Sequence, residues 1–151
     1  MPRRSAGILP FRRAADGVEI LLVHPGGPFW QKRDSGAWSI AKGEYDEDEQ
    51  PEDAARREFL EETGWTVSAK LIPLGEIRQS SGKLVTAFAL EADFDPATLQ
   101  SNTFEMEWPP RSGRMSAFPE VDRAAWFSLE EARDKLITGQ RLFVERLQRI
   151  L

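Results

Sequence analysis

The chain has 151 residues, 40% of them apolar and 30% charged, which is the size and composition of one soluble globular domain with a single core. A net charge of -5 argues against a general binder of duplex DNA or membrane surfaces, and the absence of cysteine excludes disulfides and thiolate metal sites. No apolar run approaches the ~20 residues of a membrane-spanning helix. The start, MPRRSAGILPF, lacks the apolar stretch of a signal peptide, and a cysteine-free chain suits a reducing cytoplasm.

In chain order, Ala6 to Phe11 and Glu19 to Val23 read as strands joined by the turn Ala14-Ala15-Asp16-Gly17. The run Ile20-Leu21-Leu22-Val23 is continuously apolar, as in a central strand buried on both faces. The loop HPGGPFWQKRDSG follows, and Trp38-Ser39-Ile40 reads as a short strand. A helix is predicted from Pro51, which suits the first helical position, to Gly64, a natural stop; Glu52 and Asp53 suit its positive end. On it, Ala55, Phe59 and Leu60 are expected to face the core.

Strands are predicted for Trp65 to Leu74, Gly75 to Gln79 and Leu84 to Glu91, with a turn at Ser80-Ser81-Gly82-Lys83. Asp93 to Pro119 is the least regular stretch. Val121 to Phe127 reads as a last strand, and Ser128 with Glu131 forms a capping box ahead of helices at Leu129 to Ile137 and Gln140 to Leu151. The order β-β-β-α-β-β-β-α is compatible with a mixed sheet covered by helices on both sides.

The chemistry concentrates in GEYDEDEQPEDAARREFLEETGW, residues 43–65. Glu58, Glu61 and Glu62 fall at i, i+3 and i+4, on one helical face. Three like charges there repel one another unless a hard divalent cation joins them, and such a cation sits between carboxylates and substrate phosphates. The spacing therefore predicts a metal site and phosphate chemistry.

The same segment resembles the signature of the Nudix hydrolases, G-x5-E-x7-R-E-U-x-E-E-x-G-U with U a bulky apolar residue. Gly43, Glu49, Arg57, Glu58, Glu61, Glu62 and Gly64 meet every fixed position, and Phe59 and Trp65 the apolar ones. One departure is Ala41, where proline usually precedes the Lys-Gly pair. The resemblance implies a single Nudix domain over residues 1–151, an α/β/α sandwich with a mixed sheet and a catalytic loop-helix-loop. It implies hydrolysis of a pyrophosphate linkage with Mg2+, or Mn2+ as its substitute, and a small-molecule nucleotide substrate. Homodimers are frequent in the family, but no interface is marked here.

Site residues follow from the same resemblance. Glu58, Glu61 and Glu62 would hold the metal, with one of them able to take a proton from water. Arg57 would orient Glu58 or pair with Glu49, and Gly43 and Gly64 would allow the tight backbone at either end. A further carboxylate often comes from outside the box. Glu120, just before the last strand, is the candidate, and Glu105 and Glu107 compete with it. Lys42, Arg111 and Arg114 are the phosphate candidates, ahead of Arg78 and Lys83. Trp30, with Phe29 and Trp108, could stack on a base. Trp38 and Trp126 read as core, and His24 as structural.

Within the family, dinucleoside polyphosphates such as diadenosine tetraphosphate are the favoured substrates on overall likeness. A nucleoside triphosphate pyrophosphohydrolase of the MutT kind is the enzymatic rival. A catalytically inactive nucleotide-sensing module is the rival of another class, opposed by the intact glutamates.

Overall fold

A computed structural model describes residues 3–151. Its main sheet grows from β1 (Arg4–Ala14). One edge of β1 pairs in parallel with β5 (Leu84–Glu91). The other edge is divided. Its C-terminal part pairs antiparallel with β2 (Gly17–Pro25), and Ser5 to Ile8 pair antiparallel with the short β3 (Ala41–Glu44). β4 (Ile72–Arg78) lies outside β5, and β8 (Val121–Ser128) outside β2, giving the mixed order β4-β5-β1-β2-β8.

Strand alternation splits the core in two. Leu9, Phe11, Ile20, Leu22, Val85 and Ala87 face one side, where they meet Ala132 of α2 (Leu129–Lys135) and Phe143, Val144 and Leu147 of α3 (Arg141–Ile150). Ala6, Ile8, Leu21, Val23, Phe88 and Leu90 face the other, against Ala54, Ala55 and Phe59 of α1 (Pro51–Thr63). This is the expected α/β/α sandwich, and it explains the unbroken apolar run in β2. Phe59 is fully buried, which stabilises the α1 contact by roughly 2–3 kcal/mol. Leu60, expected beside it, is instead 46% exposed.

The ends of α1 follow local chemistry. Pro51 opens it, and Gly64 closes it at φ 79°, its N–H bonded to the Leu60 carbonyl. The capping box at Ser128 and Glu131 forms as read. α2 stops at Lys135, because Leu136 turns extended and pairs with Trp38 as an isolated bridge.

Three sequence readings are corrected. Residues 65–71 form a loop, and strand begins only at Ile72. The Arg56 guanidinium donates to the carbonyls of Val67 and Ala69, each at 2.9 Å, so a side chain of α1 takes the bonds a neighbouring strand would have taken. Trp38 to Ile40 forms only isolated bridges, and the strand proper is shifted to Ala41–Glu44. Residues 93–119 contain a separate hairpin of β6 (Thr103–Glu107) and β7 (Met115–Pro119), whose Phe104 and Phe118 lie opposite each other.

Three backbone bonds root that hairpin. Asn102 N–H donates to the Glu61 carbonyl at 2.8 Å, Glu120 N–H to the Asn102 carbonyl at 2.9 Å, and Gly26 N–H to the Glu120 carbonyl at 2.9 Å. The end of α1, the base of the hairpin and the end of β2 are thus tied in series.

Candidate active site

α1 presents Glu58 and Glu62 toward Gly43 and Lys42 of β3, and Arg57 links Glu58 to Glu49 and Glu61. Its guanidinium grips Glu49 through two bonds of 2.8 Å and donates to Glu58 Oε1 at 2.7 Å, with a weaker contact of 3.3 Å to Glu61. Both alternatives read for Arg57 are therefore realised together. The fork is bidentate toward Glu49, the geometry in which an arginine–carboxylate pair is strongest. It holds Glu49 below its ordinary range, chiefly by hydrogen bonding.

Glu58 lies directly over Gly43. A Cβ built on Gly43 would sit 1.9 Å from Glu58 Oε2 and 2.0 Å from its Cδ. Gly43 therefore serves through close approach, whereas Gly64 serves through its left-handed backbone. Burial raises the Glu58 carboxyl despite the pull of Arg57.

Glu62 is the most perturbed acid. Burial pushes it from 4.5 up to about 8, with the charges of Glu58 and Glu120 adding to the rise. Lys42 opposes this through its own charge and its backbone N–H. The Lys42 amine is in turn held down to about 8 by burial and by the neighbouring Lys83. Glu120 is thus an acid outside the box whose charge reaches Glu62. Glu105 and Glu107 stand exposed on β6, and Glu107 accepts the Arg111 backbone N–H at 2.6 Å.

Glu58 and Glu62 are partly desolvated carboxylates that repel each other, with only one cationic neighbour each among the described residues, Arg57 and Lys42. That donor chemistry fits a hard divalent cation, which completes its shell with water and substrate phosphate rather than requiring an all-protein cage. Among the described residues no three acidic side chains converge into a ready-made ligand set.

The remaining candidates lie on the hairpin and on the loop after β2. Arg111 and Arg114 are exposed at the hairpin turn, about 17 Å from its base if five strand residues are extended. Trp30 is 39% exposed, with the Arg33 guanidinium 5.5 Å over its ring. Phe29 meets Trp108 edge-on at 5.5 Å, which bridges the Phe29–Trp30 loop to the hairpin. If Trp30 stacks on a base, Trp30→Ala is expected to raise KM with thermal stability unchanged; a lower melting temperature at constant KM would mean packing.

His24 is fully buried, with Nδ1 2.8 Å from the Asp122 carboxylate and Nε2 2.6 Å from the Arg33 carbonyl. It fastens the Trp30 loop to β8. A cavity of about 390 Å³ lies beside the box loop between Arg3, Arg4, Tyr45 and Gln50, and its lining includes none of Glu58, Glu61 and Glu62. Lys83 neighbours Lys42 only through strand register, which no local motif reveals.

A sheet between two helical layers, with a carboxylate-bearing helix fastened by an arginine to the loop before it, defines a loop-helix-loop hydrolase of the α/β/α class. The NUDIX domain profile matches residues 1–147, and the chain belongs to the Nudix family as a pyrophosphohydrolase. Among solved structures it resembles an Ap4A hydrolase from C. elegans in a binary complex, at 20% identity over 98% of this chain and 96% of that one, with a TM-score of 0.66. It also resembles the NUDIX domain of NrtR from Shewanella oneidensis complexed with ADP ribose, at 17% identity over 99% and 88% of the two chains, TM-score 0.68. A third is a MutT protein from Methanosarcina mazei, at 22% identity over 99% and 95%, TM-score 0.61. At these identities the likeness is one of fold. No curated protein matches the chain in sequence. No helix among the described residues is long and apolar enough to cross a membrane.

Proposed function

We propose that the protein hydrolyses a pyrophosphate linkage in a nucleoside diphosphate joined to a second group, with dinucleoside polyphosphates such as diadenosine tetraphosphate as its substrate. The observation that carries the reaction class is the placing of Glu58 over Gly43, held by Arg57 at 2.7 Å, with Glu62 next to it and within reach of the Glu120 charge. The substrate lean rests on the resemblance to the C. elegans Ap4A hydrolase fold.

Glu58, Glu61, Glu62 and Glu120 would hold the cation, Mg2+ with Mn2+ as a substitute. When bound, it supplies positive charge against the phosphate oxygens and makes water a better nucleophile. The chain's own contribution is positional. Arg57 fixes Glu58, Gly43 leaves room for its carboxylate, and the hairpin root sets Glu120 beside the end of α1. Glu62, half-buried beside Lys42, is the group assigned to accept a proton from water. Lys42 meets the phosphates.

The test is a panel of diadenosine polyphosphates, ADP-ribose, sugar nucleotides, nucleoside triphosphates and capped RNA with Mg2+, products resolved by chromatography. Turnover of diadenosine polyphosphates, lost in Glu62→Gln, supports the reading. Preference for triphosphates would move the substrate to the MutT kind, and binding without any turnover would move it to the sensing module. Glu120→Gln is expected to lower turnover at least tenfold, on the order of 1.4 kcal/mol of barrier. If Glu105→Gln does so instead, Glu120 is not the fourth carboxylate.

A further inference from the structure

Glu120 stands at a joint that neither sheet fixes. It is the single residue between β7, which ends at Pro119, and β8, which begins at Val121. β7 pairs with β6 in the two-stranded sheet, and β8 pairs with β2 in the main one. The ladders reach Pro119, opposite Thr103, and Val121, opposite Pro25, and pass over Glu120. The direction of its exposed side chain is therefore set by whatever holds the amides on either side of it.

Ser101 holds those amides. Its Oγ accepts the Val121 N–H at 2.9 Å and donates to the Asn102 carbonyl at 2.7 Å, using both the donor and the acceptor that one hydroxyl carries. The Asn102 carbonyl also accepts the Glu120 N–H, at 2.9 Å, so the bonds close a ring around the joint. The two neighbours of Ser101 reach α1. Gln100 N–H donates to the Thr63 carbonyl at 2.9 Å and Asn102 N–H to the Glu61 carbonyl at 2.8 Å. Both carbonyls lie in the last turn of α1, where the helix itself supplies no partner. On the opposite side, Gly26 N–H donates to the Glu120 carbonyl at 2.9 Å, and a Cβ on Gly26 would lie 1.9 Å from the Pro119 carbonyl oxygen. With no slack toward β2, the placing of Glu120 relative to α1 depends on the Ser101 ring.

We propose that Ser101 is a positioning residue for Glu120, one that holds this carboxylate beside Glu61 and Glu62 so that they serve one cation; the role rests on reading Glu120 as the fourth carboxylate. A reacting group displaced by about 1 Å can cost about a hundredfold in rate, so a single hydroxyl at this joint has a long reach. Ser101 itself touches neither the cation nor the substrate.

The test is a double-mutant cycle on the full chain with two readouts. One is turnover of the compound that the substrate panel identifies. The other is Mn2+ affinity of the metal-free protein, from the electron paramagnetic resonance of free Mn2+. Ser101→Ala is expected to lower kcat about fivefold or more with KM within about twofold, and to weaken Mn2+ binding about threefold or more. Ser101→Thr, which keeps the hydroxyl, is expected to retain both. In the Glu120→Gln background Ser101→Ala is expected to change neither, because the carboxylate through which it acts is gone. Melts without metal accompany every variant. If Ser101→Ala melts below the assay temperature, the shape-matched pair Ser101→Thr and Ser101→Val carries the comparison. Equal losses in both backgrounds would make Ser101 a structural residue and overturn the positioning role, as would wild-type kcat and Mn2+ affinity in Ser101→Ala. If Glu120→Gln keeps wild-type turnover and Mn2+ affinity, the fourth-carboxylate reading fails and the role of Ser101 with it. If Glu120→Gln is impaired and Ser101→Ala is not, Glu120 stands and only Ser101 falls. If no compound of the panel is cleaved, the hydrolase reading fails and Mn2+ affinity alone decides the cycle.

Discussion

Replacing Glu62 by Gln is expected to remove nearly all turnover, on the order of a thousandfold, while making the metal-free protein more stable at alkaline pH. The loss of turnover follows from removing a negative ligand while keeping its shape. The gain in stability follows from linkage. Folding raises the Glu62 carboxyl from 4.5 to about 8, so between those values the folded state binds more protons than the unfolded state. The stabilising effect of that proton is fully present below pH 4.5 and is lost as pH rises through about 8. Above that, wild type keeps a desolvated carboxylate that Gln lacks.

Lys42 sets where the difference is clearest. Its amine is held down to about 8, so at pH 9 it is mostly neutral and has little to lose when Glu62 loses its charge. Near pH 4 Glu62 is protonated in the folded and largely in the unfolded state, and the two proteins should melt together. At pH 9 the variant should be more stable by roughly 2–4 kcal/mol, several degrees in Tm for a chain of this size. Adding Mg2+ should raise the Tm of wild type by mass action and leave the variant nearly unmoved. A variant less stable than wild type across this range would show that Glu62 is a satisfied ion-pair partner and not a carboxylate waiting for a cation.

The parts of this fold that the sequence displays are those whose cause is local. α1 is bracketed by Pro51 and Gly64, and its glutamate row is visible because helical spacing alone places it. β2 is visible because a strand between two helical layers is apolar at every position. The parts that escaped depend on partners far along the chain. Residues 65–71 carry the burial of a strand at Trp65 and Leu71, but Arg56 of α1 takes their carbonyls. In β6, Phe104 and Met106 alternate with exposed residues, yet the prolines and glycine of the turn mask the pattern. Trp126, read as core, packs half-buried against the α1-side core, and the Arg12 guanidinium covers its ring at 4.3 Å. At the site, the acids were legible as a motif, whereas the approach of Lys83 to Lys42 exists only once β1, β3 and β5 are in register.

Gly43→Ala separates a residue needed for the fold from one needed for the site. The new methyl would occupy the space of the Glu58 carboxylate, whose atoms lie 1.9 and 2.0 Å from where it must go. Those atoms end a flexible side chain, so Glu58 can swing aside at little cost to folding, and a Tm within about 3 °C of wild type is expected. Once displaced, Glu58 loses its 2.7 Å bond from Arg57 and its place beside Glu62, so turnover is expected to fall at least a hundredfold. Gly7→Ala provides the contrast. Its methyl would meet the Ala41 carbonyl, part of the sheet backbone, at 2.5 Å, and the strand pairing itself must yield. That variant is expected to lose about 2–3 kcal/mol of stability. Parallel melts and rates for the two variants decide the matter. If Gly43→Ala unfolds as readily as Gly7→Ala, the glycine of the box serves the backbone; if it melts normally but is inactive, it serves to make room for Glu58.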